Sequence, residues 1–151
     1  MRPRAFLDTN LLVLRLIGQL TPDLIGSHKR VRAYRPGDLE GLNEILAGQR
    51  LCTNVAVLTE TSNLLGAGER ETPAGAQRAL ASFAGRAEII ATDINAICKL
   101  PVLVRYGFTD ASLVLAALSG ITVVTDDFPL AGLMAKRDLP VINFNALRTG
   151  R

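Results

Sequence analysis

The chain has 151 residues, of which 48% are hydrophobic, and its formal net charge is +3. This length and composition are typical of one folded domain and exclude an intrinsically disordered protein. The basic excess is compatible with a nucleic-acid partner without requiring one. No apolar stretch of the sequence reaches the length of a membrane span.

The N-terminal apolar residues are interrupted by Asp8, Asn10 and Arg15, a pattern that a secretory signal does not have. The two cysteines, Cys52 and Cys98, lie in apolar surroundings without the spacing of metal ligands. We therefore expect both to be buried in reduced form, in a cytoplasmic protein.

Apolar runs alternate along the chain with stretches of helical periodicity. The predicted strands are residues 4–7, 51–53, 88–91, 121–125 and 140–142. The predicted helices are residues 9–17 ending at Gly18, 38–47, 55–65 capped by Asn54, 72–83, 92–99, 110–119 capped by Thr109, and 129–136. Strands separated by helices predict a parallel sheet covered by helices, within a single α/β domain over residues 1–151.

Acidic residues recur at the ends of segments whose pattern is that of a core. Asp8 follows the first strand, Asp126 and Asp127 follow the fourth, Asp110 begins an apolar helix, and Glu60 lies inside another. Carboxylates are usually scattered over solvated faces. Ligands of parallel sheets bind at the carboxyl ends of the strands, so we expect these acids to share one site.

Two of these acids share helical stripes with apolar residues. Glu60 lies three and four residues from Val57 and Leu64, and Asp110 lies three residues from Leu113. We therefore expect both carboxylates to point toward the protein body.

Converging carboxylates repel one another and raise a pKa, a conflict that a divalent cation removes. Oxygen ligands favour Mg²⁺ or Mn²⁺ over zinc, and His28 is the only histidine. A cation held in this way suits hydrolysis of phosphodiester bonds.

Each acid also fits a purely structural role when it is considered alone. Asp110 is suited to capping a helix, Asp8 to an Asx-turn, the pair Asp126 and Asp127 to a turn, and Glu60 to a salt bridge. Four such coincidences at matching positions are less economical than one shared site.

At these acids the sequence resembles the PIN-domain nuclease family, in particular its small VapC-like or PilT N-terminus-type members. The segments that carry the resemblance are 6–12 (FLDTNLL), 58–65 (LTETSNLL), 108–113 (FTDASL), 123–128 (VVTDDF) and the closing 139–144 (LPVINF). The resemblance implies a three-layer α/β/α sandwich with a five-stranded parallel sheet and a Mg²⁺- or Mn²⁺-dependent ribonuclease activity. It also implies catalytic and metal-binding roles for Asp8, Glu60, Asp110 and Asp127, with Asp126 as an extra or substitute ligand and Asn10 and Thr125 as supporting residues.

Many small members of that family are dimeric toxins of toxin–antitoxin pairs. The resemblance therefore implies a homodimer and, as one option, an antitoxin partner. The connection over residues 18–49 is longer than in most such toxins.

Basic residues offer two candidate RNA contacts. Lys29, Arg30, Arg32 and Arg35 surround Tyr34, which could stack on a base, and Lys99 and Arg105 precede Asp110. Both sets also fit an ordinary solvated surface.

Two other classes of function remain for comparison. A receiver-like phosphotransfer domain carries its acidic pair near the first strand, and a haloacid-dehalogenase-type phosphatase has an aspartate where this chain has Asn10. Both fit poorly. The stronger alternative is a PIN-like module without activity that serves as a binding partner or scaffold.

Overall fold

The computed structural model describes residues 1–66 and 73–148. Within them, the strands are β1 (Arg4–Leu7), β2 (Arg50–Thr53), β3 (Glu88–Ile89), β4 (Thr122–Thr125) and β5 (Val141–Asn143). The helices are α1 (Thr9–Leu20), α2 (Pro36–Leu46), α3 (Val55–Leu65), α4 (Ala76–Arg86), α5 (Ile94–Cys98), α6 (Val102–Leu118), α7 (Phe128–Lys136) and α8 (Phe144–Leu147). A short 3-10 helix covers Pro22–Leu24. None of these helices is long and apolar enough to cross a membrane.

The five strands pair in parallel in the order β3-β2-β1-β4-β5. The chain builds outward from β1 to β3 and then returns to β4 on the other side of β1. The strand order therefore reverses between β1 and β4, and such a point is where open parallel sheets bind ligands. In this pair Leu7 lies opposite Val124, so Asp8 and Thr125 both emerge at the carboxyl edge.

Helices cover both faces of the sheet. Because crossovers between parallel strands are almost always right-handed, the strand order implies that α1–α4 lie on one face and α5–α7 on the other. Helix α1 accordingly contacts α2, α3 and α4, while α6 contacts α5 and α7. The fold is a three-layer α/β/α sandwich on a five-stranded parallel sheet, which confirms the predicted fold class.

The core lies between the central strands and the helices that cover them. Its fully buried side chains include Phe6 on β1, Val123 on β4 and Leu14 on α1. Leu113 on α6 has only 1% of its surface exposed. Each such side chain contributes roughly 1.5–3 kcal/mol through its burial. The two central strands are thus held rigidly, and so are the residues that directly follow them.

The helix α1 is longer than its sequence pattern predicts. Gly18 does not end it, because the helix continues to Leu20. A Cβ atom at Gly18 would lie 2.7 Å from Leu39 and 2.9 Å from Ile25. The glycine therefore permits close packing of the long connection against α1, and the C′ role predicted for it is wrong.

Other boundaries shift by a few residues. The helix predicted over 72–83 is observed from Ala76 to Arg86, and Thr72 lies outside the described residues. Thr109 does not cap α6, which begins at Val102 and is interrupted at Gly107, with φ 85° and ψ 178°. Cys98 is exposed, contrary to expectation, whereas Cys52 is buried.

Candidate functional site

The buried carboxylate of Asp8 is fixed where β1 and β4 end side by side. Its backbone N–H donates to the carbonyl of Val124 at 3.0 Å. One carboxylate oxygen accepts from the N–H of Asn10 at 2.9 Å, which caps α1, and the other accepts from the Thr125 hydroxyl. Asp8 therefore has the local capping role that its sequence position permits, and it also lies at the strand-order reversal.

Thr125 links Asp8 to Asp127. Its side-chain oxygen accepts from the N–H of Asp127 at 3.1 Å while its hydroxyl donates to Asp8. Asp127 in turn caps α7, since one of its carboxylate oxygens accepts from the N–H of Leu130 at 3.0 Å. The threonine is fully buried, so it sets the relative position of the two acids.

Asp126 is oriented differently from its neighbour Asp127. Its carboxylate accepts a hydrogen bond from the Tyr34 hydroxyl, and its backbone carbonyl accepts one from the side-chain amide of Asn145. Asp126 is still close enough to Asp8 to raise the pKa of that carboxyl. Asp127, and not Asp126, lines an acidic cleft together with Asp8.

Helices α3 and α6 contribute the remaining acids. The two helices contact each other, and Glu60 and Asp110 are near enough for Glu60 to raise the pKa of Asp110. Asp110 is half-buried and lies in the helical segment that follows Gly107.

Glu60 is exposed, and the prediction that it points into the protein body is wrong. The buried stripe of α3 consists of Val57, Thr61 and Leu65. Glu60 is one residue away from that stripe, which corresponds to about 100° around the helix. It lies instead at the rim of the cleft.

These residues enclose a small polar cleft of about 170 Å³. Its lining consists of Asp8, Thr9, Asn10, Glu60, Asp110 and Asp127. Among them, Thr9 was not singled out from the sequence. The Thr9 hydroxyl oxygen is buried and has no hydrogen-bond partner among the described residues. The position of Thr9 between Asp8 and Asn10 is the signal in the sequence that could have identified this residue.

The electrostatics of the cleft are those of crowded, partly buried carboxylates. The pKa of Asp8 is raised to about 7, chiefly by burial and also by the nearby Asp126 and Asp110, while the Thr125 and Asn10 hydrogen bonds act in the opposite direction. Burial also raises the pKa of Asp110 to about 6, with contributions from Asp127 and Glu60.

No ion pair within residues 1–66 and 73–148 includes any of the four cleft acids. The salt bridge that could have explained Glu60 is therefore not formed with any residue that the structure describes. Over the same residues, no three His, Cys, Asp or Glu side chains are already gathered as a metal-binding set. The acids face one cleft without their oxygens converging on a single point.

The basic residues predicted as RNA contacts lie on the surface. Lys29, Arg30, Arg32 and Arg35 are exposed, in the connection between α1 and α2. The Arg30 Nε donates to the carbonyl of Leu64 at 3.1 Å, next to the end of α3. Lys99 and Arg105 are also exposed, and neither lines the acidic cleft.

Tyr34 is buried, with 5% of its surface exposed, so neither stacking on a base nor an ordinary solvated surface describes this residue. Its ring lies under the Arg148 guanidinium, 4.9 Å from the ring centroid, and its hydroxyl reaches Asp126. Arg148 also pairs with Asp38 at 2.7 Å. The long connection is thereby attached to the C-terminal part of the chain, beside the acidic cleft.

The fold has a solved counterpart. The crystal structure of PAE2754 from Pyrobaculum aerophilum matches with a TM-score of 0.56 and 19% sequence identity, over 97% of this chain and 93% of that one. At this identity the match shows the shared fold alone. No family model and no curated protein sequence matches the chain.

Proposed function

We propose that this protein is a divalent-metal-dependent ribonuclease whose active site is the acidic cleft. The observation that carries the proposal is the cleft itself: Asp8, Glu60, Asp110 and Asp127 line one cavity at the strand-order reversal, and no described cation neutralises them. A cluster of uncompensated carboxylates is unfavourable unless protons or cations offset it.

The residues present fit Mg²⁺ or Mn²⁺. The available donors are carboxylate oxygens and the unpartnered Thr9 hydroxyl, a set that hard divalent cations prefer. Asp8, Glu60, Asp110 and Asp127 would hold the cation, which supplies positive charge at the scissile phosphate and acidifies the attacking water.

The chain's own groups prepare the cleft for that role. Thr125 holds Asp8 and the backbone of Asp127 in place, so these two acids keep a fixed relative geometry. The exposed Asn10 side chain lines the cleft and is available to donate to a phosphate oxygen. Asp126 is bound by Tyr34, so we assign it a supporting role and not that of a ligand.

RNA is the substrate class that the surroundings favour. Exposed Arg30 and Arg32 lie on the connection that Tyr34 joins to Asp126, and in this proposal they bind backbone phosphates. As further parts of the proposal, the protein is cytoplasmic, acts as a homodimer, and has an antitoxin as its regulatory partner if it is a toxin.

Cleavage of RNA by the purified protein tests the proposal. We expect degradation of a single-stranded RNA with Mn²⁺ or Mg²⁺, none with EDTA, and none by Asp8→Asn. Mn²⁺ should also raise the melting temperature of the wild-type protein, because a ligand of the folded state stabilises it. RNA binding with neither cleavage nor a metal-dependent shift would instead identify a silent binding module.

A further inference from the structure

A second charged cavity lies at the opposite edge of the sheet from the acidic cleft. It encloses about 400 Å³, and Arg2, Arg15, Gln49, Arg50, Phe83 and Arg86 line it. Arg2 precedes β1 and Gln49 precedes β2, so this pocket faces the amino ends of the strands. The four-residue strand β1 separates the two sites by roughly 13 Å.

Four of the described residues that line this cavity are arginines, and none of them is acidic. Arg50 donates through Nε to Glu88 at 2.8 Å, and Arg86 donates to the Ser82 hydroxyl at 2.8 Å. Each keeps further N–H groups that these contacts do not use. The side chains of Arg2 and Arg15 make no hydrogen bond or ion pair with the described residues.

Arg15 is the central member of the pocket. It projects from α1, and its Nε is buried without a hydrogen-bond partner. Burial and the nearby Arg86 guanidinium both lower its pKa. A buried donor without a partner and two neighbouring like charges are both unfavourable, and a bound anion relieves both.

Gln49 adds a second unsatisfied group to the same cavity. Its side-chain oxygen is buried and accepts no hydrogen bond. A ligand that carries a hydroxyl or amino donor beside its anionic group would supply the hydrogen bond that this oxygen lacks. The buried Phe83 adds an aromatic surface to the lining.

We propose that this arginine pocket is a binding site for a phosphorylated ligand of nucleotide size. A planar guanidinium group can donate two parallel hydrogen bonds to the oxygens of one phosphate. Several guanidinium groups around one cavity therefore suit a ligand with two or more negative charges. A ribose hydroxyl or base amino group satisfies Gln49. The cavity volume lies within the range of small-molecule sites, about 300–1,000 Å³.

The phosphate has two possible sources, a free nucleotide or the end of an RNA strand. Calorimetric titration of the 151-residue chain in EDTA separates them, with pyrophosphate and ATP as one arm. The other arm uses a short RNA with a 5′ phosphate and the same RNA with a 5′ hydroxyl. Because EDTA removes divalent metal, the result does not depend on nuclease activity.

The decisive comparison uses three variants. Arg15→Met keeps most of the side-chain stem and removes the guanidinium, while Arg86→Gln changes an exposed residue whose loss does not endanger folding. Arg137→Gln removes an exposed arginine outside the pocket and serves as the charge-matched control.

Removing a charged hydrogen-bonding group should weaken phosphate binding by roughly 10- to 100-fold in Arg15→Met and Arg86→Gln, with no change in Arg137→Gln. If the natural ligand is a free nucleotide, the two variants should bind pyrophosphate and ATP more weakly. If it is the end of an RNA strand, only the binding of 5′-phosphorylated RNA should weaken. Absence of binding in both arms, or equal weakening in the control, would overturn the proposal. If Arg15→Met does not fold, Arg86→Gln decides the outcome.

Discussion

The hydroxyl of Tyr34 donates a hydrogen bond to the carboxylate of Asp126, although 92 residues separate them in the sequence. This bond gives two adjacent acids different surroundings. Asp126 is bound to the long connection, and Asp127 lines the acidic cleft. The same bond attaches that connection, with its exposed arginines, beside the cleft.

The first prediction concerns this pair of acids. Asp127→Asn should lower RNA cleavage by more than about 100-fold, beyond the 10- to 100-fold typical of groups that only support a metal ligand. Asparagine also caps helices well, so α7 should remain intact. Asp126→Asn removes only a supporting carboxylate and should lower cleavage by roughly 10- to 100-fold. Initial rates decide the matter, and a larger loss for Asp126→Asn would reverse the assignment.

The second prediction concerns stability and pH without metal. The pKa of Asp8 is raised from 3.8 to about 7, so the folded state favours the protonated form. Its stabilising contribution is complete below the unfolded value of 3.8 and is lost as the pH rises through about 7. Asp110, with its pKa raised to about 6, changes stability in the same direction. In EDTA, the contribution of these two groups to the free energy of unfolding should therefore decrease as the pH rises from 3.8 to about 7.

Replacing Asp8 tests that sign directly. Asp8→Asn is neutral at every pH, so at about pH 8 it should be more stable than the metal-free wild type by on the order of 2 kcal/mol. That change raises the melting temperature by roughly 4–8 °C. Thermal unfolding followed by circular dichroism in EDTA measures it. A variant less stable than wild type at this pH would show that the carboxylate is not destabilising.

The third prediction concerns Thr125. Thr125→Val keeps the shape of the side chain but leaves the N–H of Asp127 and one oxygen of Asp8 without their partner. Such losses cost about 1–3 kcal/mol, and cleavage should fall by at least roughly tenfold. Thr125→Ser keeps the hydroxyl and should retain most activity. Urea denaturation measures the loss of stability, and initial rates measure the loss of cleavage. Equal activity of Thr125→Val and Thr125→Ser would contradict the role of the hydroxyl.

The fourth prediction concerns RNA binding by the connection between α1 and α2. Arg32 is exposed, so Arg32→Gln should weaken RNA binding regardless of sequence. The slope of log affinity against log salt should decrease by about 0.7 for each lost phosphate contact. Fluorescence anisotropy in EDTA measures it, with Arg137→Gln as the control. An unchanged slope would remove Arg32 from the RNA surface.

The fold could be predicted from the sequence because strand and helix patterns alternate clearly. The same regularity places Asp8 and Asp127: each follows a central strand, and parallel pairing brings the ends of neighbouring strands together. The position of Asp110 near the start of a helical segment could also be predicted from the sequence, because α6 is interrupted at Gly107 and its apolar part follows.

Features that depend on long-range packing could not be obtained in this way. A periodic pattern around Glu60 does not reveal that Thr61, and not Leu64, belongs to the buried stripe of α3. The burial of Tyr34 depends on Asp126 and Arg148, which are distant in the chain. Likewise, the arginine pocket joins segments whose proximity only the folded sheet establishes.

The most direct measurement is cleavage of an end-labelled single-stranded RNA with Mn²⁺ by wild-type protein and by two matched variants. Asp110→Asn removes an acid of the cleft, whereas Asp93→Asn alters an exposed acid that lies outside the cleft and caps α5. We predict cleavage by the wild type and by Asp93→Asn, and none by Asp110→Asn or by any protein in EDTA. Cleavage that persists in EDTA, or that Asp110→Asn retains in full, would contradict a metal-dependent nuclease at this cleft.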